Sequence, residues 1–325
     1  MKNILYILIV AGLVLTSCED KQGTYAAIEA ELEELLRNDD AFGMDGFGDE
    51  GAVSEEYEEG LEDASAKLLT GDDYPPDSIW HYRFGRRIES FNRDIQYTHE
   101  EDEVLADITW TIEGLFIIKV FDTTATMIDS VAKEFTNNFQ RKIRFERLST
   151  VDENGREWRV KEFTMGVGGI GEKVAITKLE YFIATEDSTW DSQFIMESEN
   201  VLETFISRED IPTFPMWSLV KVEVTVSNED PIYDYRSGEG VLMHFGIDRR
   251  HKARRRMFDD GEHGGDLVPL NNVFTMIRLM HGPGWGHDAR VFRAFFDVMD
   301  YGTLFQTQTD VHTAFWGLPY KCVRP

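Results

Sequence analysis

Asp259, Asp260, Asp266 and Asn271 crowd one short stretch that also contains Gly261, Gly264 and Gly265. Carboxylate and amide oxygens at this density are the hard donors that Ca²⁺ takes, about six to eight at a time. The spacing is not that of an EF-hand loop, and Asp and Gly also build turns whose side chains cap backbone groups. The turn reading is preferred and Ca²⁺ is kept as the alternative; no other cofactor is expected. His281 and His287 bracket Gly282-Pro283-Gly284-Trp285-Gly286, with His263 near in sequence. Zinc asks for three or four such ligands in tetrahedral array, and neither C-x₂-C nor H-E-x-x-H occurs. The histidines are therefore read as belonging to a loop that joins two strands. Arg249-Arg250-His251-Lys252-Ala253-Arg254-Arg255-Arg256 stands out in so acidic a chain. Such a run fits a solvated strand edge, where basic residues discourage edge-to-edge aggregation. No G-x-S-x-G or other nucleophile-elbow signature is present.

The formal net charge is −27 over 325 residues. A protein binds duplex nucleic acid by neutralising phosphates with Lys and Arg, so this balance argues against that partner and against lying flat on anionic lipid. The chain has two cysteines, Cys18 and Cys322. Cys322 follows Tyr320 by two in an expected final strand and is read as a small buried hydrophobe.

Residues 24–37 show a helical stripe of Tyr25, Ile28, Leu32, Leu35 and Leu36. From Arg37 to Lys67 acidic residues accumulate without a basic one, as in a solvated loop or helix face. Pro75-Pro76-Asp77 announces a second helix over 79–91, with Trp80, Phe84, Ile88 and Phe91 as its buried stripe. The period then changes to two. Val104, Ala106, Ile108, Trp110 and Ile112 alternate with polar residues, Arg141–Arg147 and Trp158–Phe163 read as strands, and Asp152-Glu153-Asn154-Gly155 is a hairpin turn. Gly166–Gly171 reads as a connector between domains. Beyond it Val174–Ile183, Val220–Val226 and Phe292–Val298 read as strands, the pattern of a β-sandwich.

Three resemblances follow from these residues. Lys2, the apolar run Ile4–Leu15 and Leu15-Thr16-Ser17-Cys18 resemble a bacterial lipoprotein signal. The run is too short to span a bilayer, which needs about 20 apolar residues. The resemblance implies cleavage before Cys18, its diacylation and attachment to the cell envelope. The 79–91 segment, the strand Val104–Lys119 and the pair Arg141–Arg147 and Trp158–Phe163 resemble the NTF2-like superfamily, which implies an α+β cone. A cavity in that cone would be lined by His81, Asp94 and Asp107. Val220–Val226, Val241–Phe245, Arg256-Met257-Phe258-Asp259-Asp260-Gly261 and Trp316-Gly317-Leu318-Pro319-Tyr320 resemble the immunoglobulin-like modules of bacterial envelope proteins.

The expected fold class is thus α+β, an NTF2-like cone followed by an all-β immunoglobulin-like sandwich. The expected division is a signal peptide over 1–17, a lipidated tether over 18–23, an NTF2-like domain over 24–170 and a sandwich over 171–325. The expected function is non-enzymatic binding or scaffolding at the membrane, with an envelope protein or glycan as partner. The alternatives are an enzyme or small-ligand carrier using the cone's cavity, and a Ca²⁺-stabilised adhesion module.

Overall fold

Alternation every second residue governs most of this chain, and the helical period survives in few places. The computed structural model describes residues 25–37, 58–59, 81–121, 124, 126–232, 237–246, 252–284, 286–306 and 308–325. Helix α1 covers 25–37. The strands are β1 Glu58–Glu59, β2 His81–His99, β3 Glu103–Phe121, β4 Met127–Arg147, β5 Trp158–Phe163, β6 Gly166–Ile170, β7 Val174–Ala184 and β8 Trp190–Glu197. There follow β9 Ile206–Ser207, β10 Thr213–Pro215, β11 Leu219–Asn228, β12 Glu239–Gly246, β13 Lys252–Met257, β14 Val273–Leu279 and β15 Ala289–Asp300. A short helix α2, Tyr301–Phe305, precedes the last strand, β16 Thr313–Val323.

This architecture corrects the expected class. The described residues are almost entirely β, with α1 and α2 as their two α-helices, and they do not form an α+β cone of the NTF2-like kind. Of the helix expected over 79–91, residues 81–91 form the first half of β2, which pairs antiparallel with β3 from His81↔Phe121 to His99↔Val104. A register shift between Ile88 and Ser90 explains the misreading. Phe84 and Ile88 share a strand face, and the bulge's extra residue brings Phe91 onto that same face. The resulting 84, 88, 91 spacing imitates a helical stripe. Trp80, Asp77 and most of the acidic 37–67 stretch lie outside the described residues.

Among the described residues the strands form two sheets. One is twelve-stranded, with main order β1-β2-β3-β4-β6-β16-β15-β12-β13; the other runs β14-β11-β7-β8. The glycine-rich 166–170 segment, expected as a connector, is a strand paired with β4 on one edge and β16 on the other. Its composition has a steric cause. A Cβ on Gly166 would lie 2.2 Å from the Phe139 ring, and one on Gly168 would lie 2.7 Å from the Asn138 carbonyl oxygen.

One apolar cluster links both halves of the sequence. Leu32, Leu35 and Leu36 of α1 join Val104, Trp110 and Phe145 of the long strands, and the cluster continues to Tyr181, Val222, Phe296 and Tyr320. Between the sheets Tyr181 meets Phe296 edge-on at 6.2 Å and Phe214 at 5.7 Å. Each such aromatic contributes about 2 kcal/mol through burial. On the opposite face of β15, Phe295 stacks on Phe139 at 6.2 Å. There Arg86 of β2 donates to both oxygens of the buried Asp297 at 2.7 and 3.0 Å.

Because β6 must carry no side chain where Phe139 and the β4 backbone press on it, Gly168→Val should destabilise the protein by about 1–3 kcal/mol. Denaturant unfolding followed by Trp fluorescence and by circular dichroism checks this. One common transition, shifted to lower denaturant, is expected for both probes.

Candidate functional site

The acidic loop runs from β13 to β14, and its oxygens face its own backbone. Asp259 accepts from the Asn271 and Asn272 amides at 3.0 and 3.1 Å and from the Ser237 hydroxyl at 3.1 Å. Asp260 accepts from the Glu262 and His263 amides at 2.9 and 2.8 Å, and its other oxygen meets His263 Nδ1 at 2.8 Å. Asp266 accepts from the Gly261 amide at 2.6 Å and the Val268 amide at 3.2 Å, and Asn271 from the Val273 amide at 2.9 Å. The four expected ligands are thus brought into one loop, each capping main-chain N–H groups as Asx turns do. Among the described residues no group of three or more His, Cys, Asp or Glu side chains is arranged to hold a metal ion.

This capping holds a demanding backbone. Leu270 and Asn272 have φ of 57° and 60°, the left-handed region that a residue such as Leu rarely adopts. Asp259 and Asp266 are buried beneath the loop, while Leu267 is 85%, Val268 55% and Leu270 49% exposed. Burial lifts the Asp259 carboxyl above its ordinary range, against the hydrogen bonds from Asn271, Ser237 and Asn272. For Asp260 the amide bonds from Glu262 and His263 outweigh its burial, and its carboxyl sits low. The loop therefore presents an apolar tip on a polar frame. Its sequence signal is Leu267-Val268-Pro269-Leu270, an apolar quartet amid Asp and Gly.

A second cluster surrounds His281, built from Arg278, Phe245, Phe292 and Tyr320. Arg278 donates from Nη2 to His281 Nδ1 at 2.9 Å, and His281 Nε2 lies 3.4 Å from the Tyr320 hydroxyl. A guanidinium can only donate, so Nδ1 accepts and the imidazole proton sits on Nε2. Phe292 meets the imidazole edge-on at 4.1 Å, and the Arg278 guanidinium lies 3.7 Å from the centre of the Phe245 ring. Burial, with the Arg278 charge adding to it, holds His281 down to about 4. Arg278 Nη1 is buried and has no hydrogen-bond partner among the described residues. Cys322 is fully buried, as expected of a small hydrophobe, and burial pushes its thiol up to about 12. A neutral imidazole, a buried phenol and a protonated thiol supply packing, not a nucleophile.

The expected cavity residues are not assembled. His81 opens β2, and its side chain lies outside the described residues. Asp94 is exposed and faces Thr109; Asp107 lies opposite Gln96 and Lys142 on the solvent-side face of the same strands. On the inward face Phe84 and Trp110 are buried in the core. Of the basic run, 249–251 lie outside the described residues, and the remainder forms β13 at the end of the sheet's strand order. Composition also gave no warning of the buried group at the start of α2. There Asn228 Nδ2 donates to Glu239 at 2.9 Å and to Asp300 at 3.2 Å, and Lys173 pairs with Asp300 at 3.1 Å. Burial raises the Glu239 carboxyl.

No family model, curated protein or solved structure matches the chain.

The His281 geometry fixes a pH dependence. Unfolded chains take up a proton near the ordinary histidine value of about 6.5, whereas the folded protein resists until about 4. The His281 contribution to stability is flat above that window and falls as pH drops through it. The melting temperature of the wild type relative to His281→Phe should therefore drop between pH 6.5 and 4, and the two pH profiles should run parallel above pH 6.5. Thermal melts across that range check it.

Proposed function

We propose that this protein is a contact protein of the bacterial cell envelope, anchored through lipid on Cys18 and working by binding rather than by chemistry. The observation that carries the reading is the 259–272 loop. Its carboxylates cap backbone amides, while Leu267, Val268 and Leu270 stand in solvent. Exposed apolar groups held on a rigid frame mark an interaction site, because such display lowers solubility without stabilising the fold. A pre-ordered loop also loses little entropy on binding. The anchor rests on Lys2, Ile4–Leu15 and the Leu15-Thr16-Ser17-Cys18 run, and the immunoglobulin-like character of 171–325 on the order of its strand motifs. The partner is an envelope protein with an apolar recess that accepts the Leu267–Leu270 tip.

A photo-crosslinking residue placed at position 267 of the full lipidated chain tests this in the native envelope. A discrete adduct is expected, lost when Val268 and Leu270 are changed to Ser and absent with the crosslinker at Glu153. Equal labelling from positions 267 and 153, or none from either, would remove the contact reading. Separately, Cys18→Ala should move the protein out of the membrane fraction; if it stays there, the anchor is something else.

A further inference from the structure

The end of the body away from the acidic loop carries a second apolar group. Trp217 is 61%, Leu279 55% and Leu219 41% exposed. Leu219 and Leu279 are cross-strand partners, and the Trp217 amide donates to the Met280 carbonyl at 3.0 Å. The backbones of these three exposed residues therefore lie together at one end of the β11–β14 pair. Trp217 also has φ of 66°, a strained conformation for a bulky aromatic side chain, and this one is left in water.

Strand registers place this patch at the same end as α1's start. Met216 donates to the Val323 carbonyl at the end of β16. β16 runs antiparallel to β6, and β6 antiparallel to β4, so β16 and β4 both finish at this end. Arg147, the last residue of β4, bonds to Asp102 in the β2–β3 turn. Beside that turn Tyr25 stacks on His99 at 4.2 Å, and His99 meets Glu29 at 2.9 Å. The acidic loop, by contrast, adjoins Val226 and Phe258, with β11 running away from Leu219 toward it.

We infer that the Trp217–Leu219–Leu279 patch rests against the bilayer surface to which Cys18 tethers the chain. This rests on the lipid-anchor reading above. Residues 19–24 span about 20 Å at full extension, which confines the start of α1 to the membrane's neighbourhood. Tryptophan prefers the headgroup level, where its ring meets apolar and wet surroundings together. Arg324, exposed beside the patch and donating to the Gly284 carbonyl at 3.0 Å, supplies a cation for phosphate. Contact is end-on, so most of the −27 body stays clear of the lipid headgroups.

The test uses the full lipidated chain in phosphatidylcholine vesicles, with a spin label at Leu219→Cys or Leu267→Cys. Cys322 is buried and Cys18 carries the lipid, so labelling is specific. Collisions with a water-soluble nickel chelate should fall severalfold at 219 relative to 267, while oxygen collisions rise. Equal nickel access at both positions in protein that floats with the vesicles would overturn this inference and leave the anchor standing. Loss of nickel access without a gain in oxygen would mean that protein covers the patch, and would also overturn it. Failure to float would remove the anchor reading and this inference with it. As a second measurement, emission lost in Trp217→Phe should be the part that brominated acyl chains quench in the wild type. Quenching of that part by iodide alone would contradict the docking.

Discussion

Between β4 and β16 lies a strand, Gly166–Ile170, hydrogen-bonded on both edges, and the continuity of the large sheet depends on it. Remove that pairing and the β2–β3–β4 meander would be joined to β15, β12 and β13 only through side chains. Backbone ladders are obligatory partners for buried N–H and C=O groups, so a strand so placed cannot simply swing aside. The absence of side chains at Gly166 and Gly168 leaves room for the Phe139 ring, which stacks on Phe295 of β15. The aromatic contact and the ladder therefore require each other.

Charges on the inward face follow from the same closure. Arg86 comes from β2 and Asp297 from β15, far apart in strand order, yet they meet in a two-pronged ion pair. Lys133 of β4 reaches the Thr303 and Gln306 carbonyls at the end of α2, where a cation complements the free C=O groups of a helix terminus. Arg141 donates to the Thr164 carbonyl and lies over Phe163. Each of these polar groups has partners contributed by a distant segment. Losing one partner would leave a poorly solvated charge, which makes such contacts specific to one arrangement of the strands.

Much of the β architecture was legible in the sequence, because alternation is a local property. β3, β7, β11 and β15 lie where Val104–Lys119, Val174–Ile183, Val220–Val226 and Phe292–Val298 placed them, and α1 occupies 25–37 with Leu32, Leu35 and Leu36 buried. The failures came where a tertiary feature disturbs the period. In β2 a bulge shifted the parity and a charged Arg86 occupied an inward position whose partner lies on β15. In β6, glycine signalled a linker when it served close packing. At the acidic loop, the departure from EF-hand spacing favoured capping oxygens over ligand oxygens, and the N–H groups that Asp259 and Asp266 accept from agree with that reading.

What results is a body with two dissimilar ends, which lie at opposite ends of the β11–β14 pair of the smaller sheet, itself packed on the larger one. The Trp217 group lies at the end where α1 starts, and the Leu267 loop lies at the other end of β11. Hydrogen exchange on the protein in its native envelope, compared with detergent-extracted protein, tests that account most directly. Two separate protected regions are expected only in the envelope, one at Met216–Leu219 and Leu279–Gly284, the other at Asp266–Leu270. Identical exchange in both preparations, or protection spread evenly over the sheet faces, would contradict it.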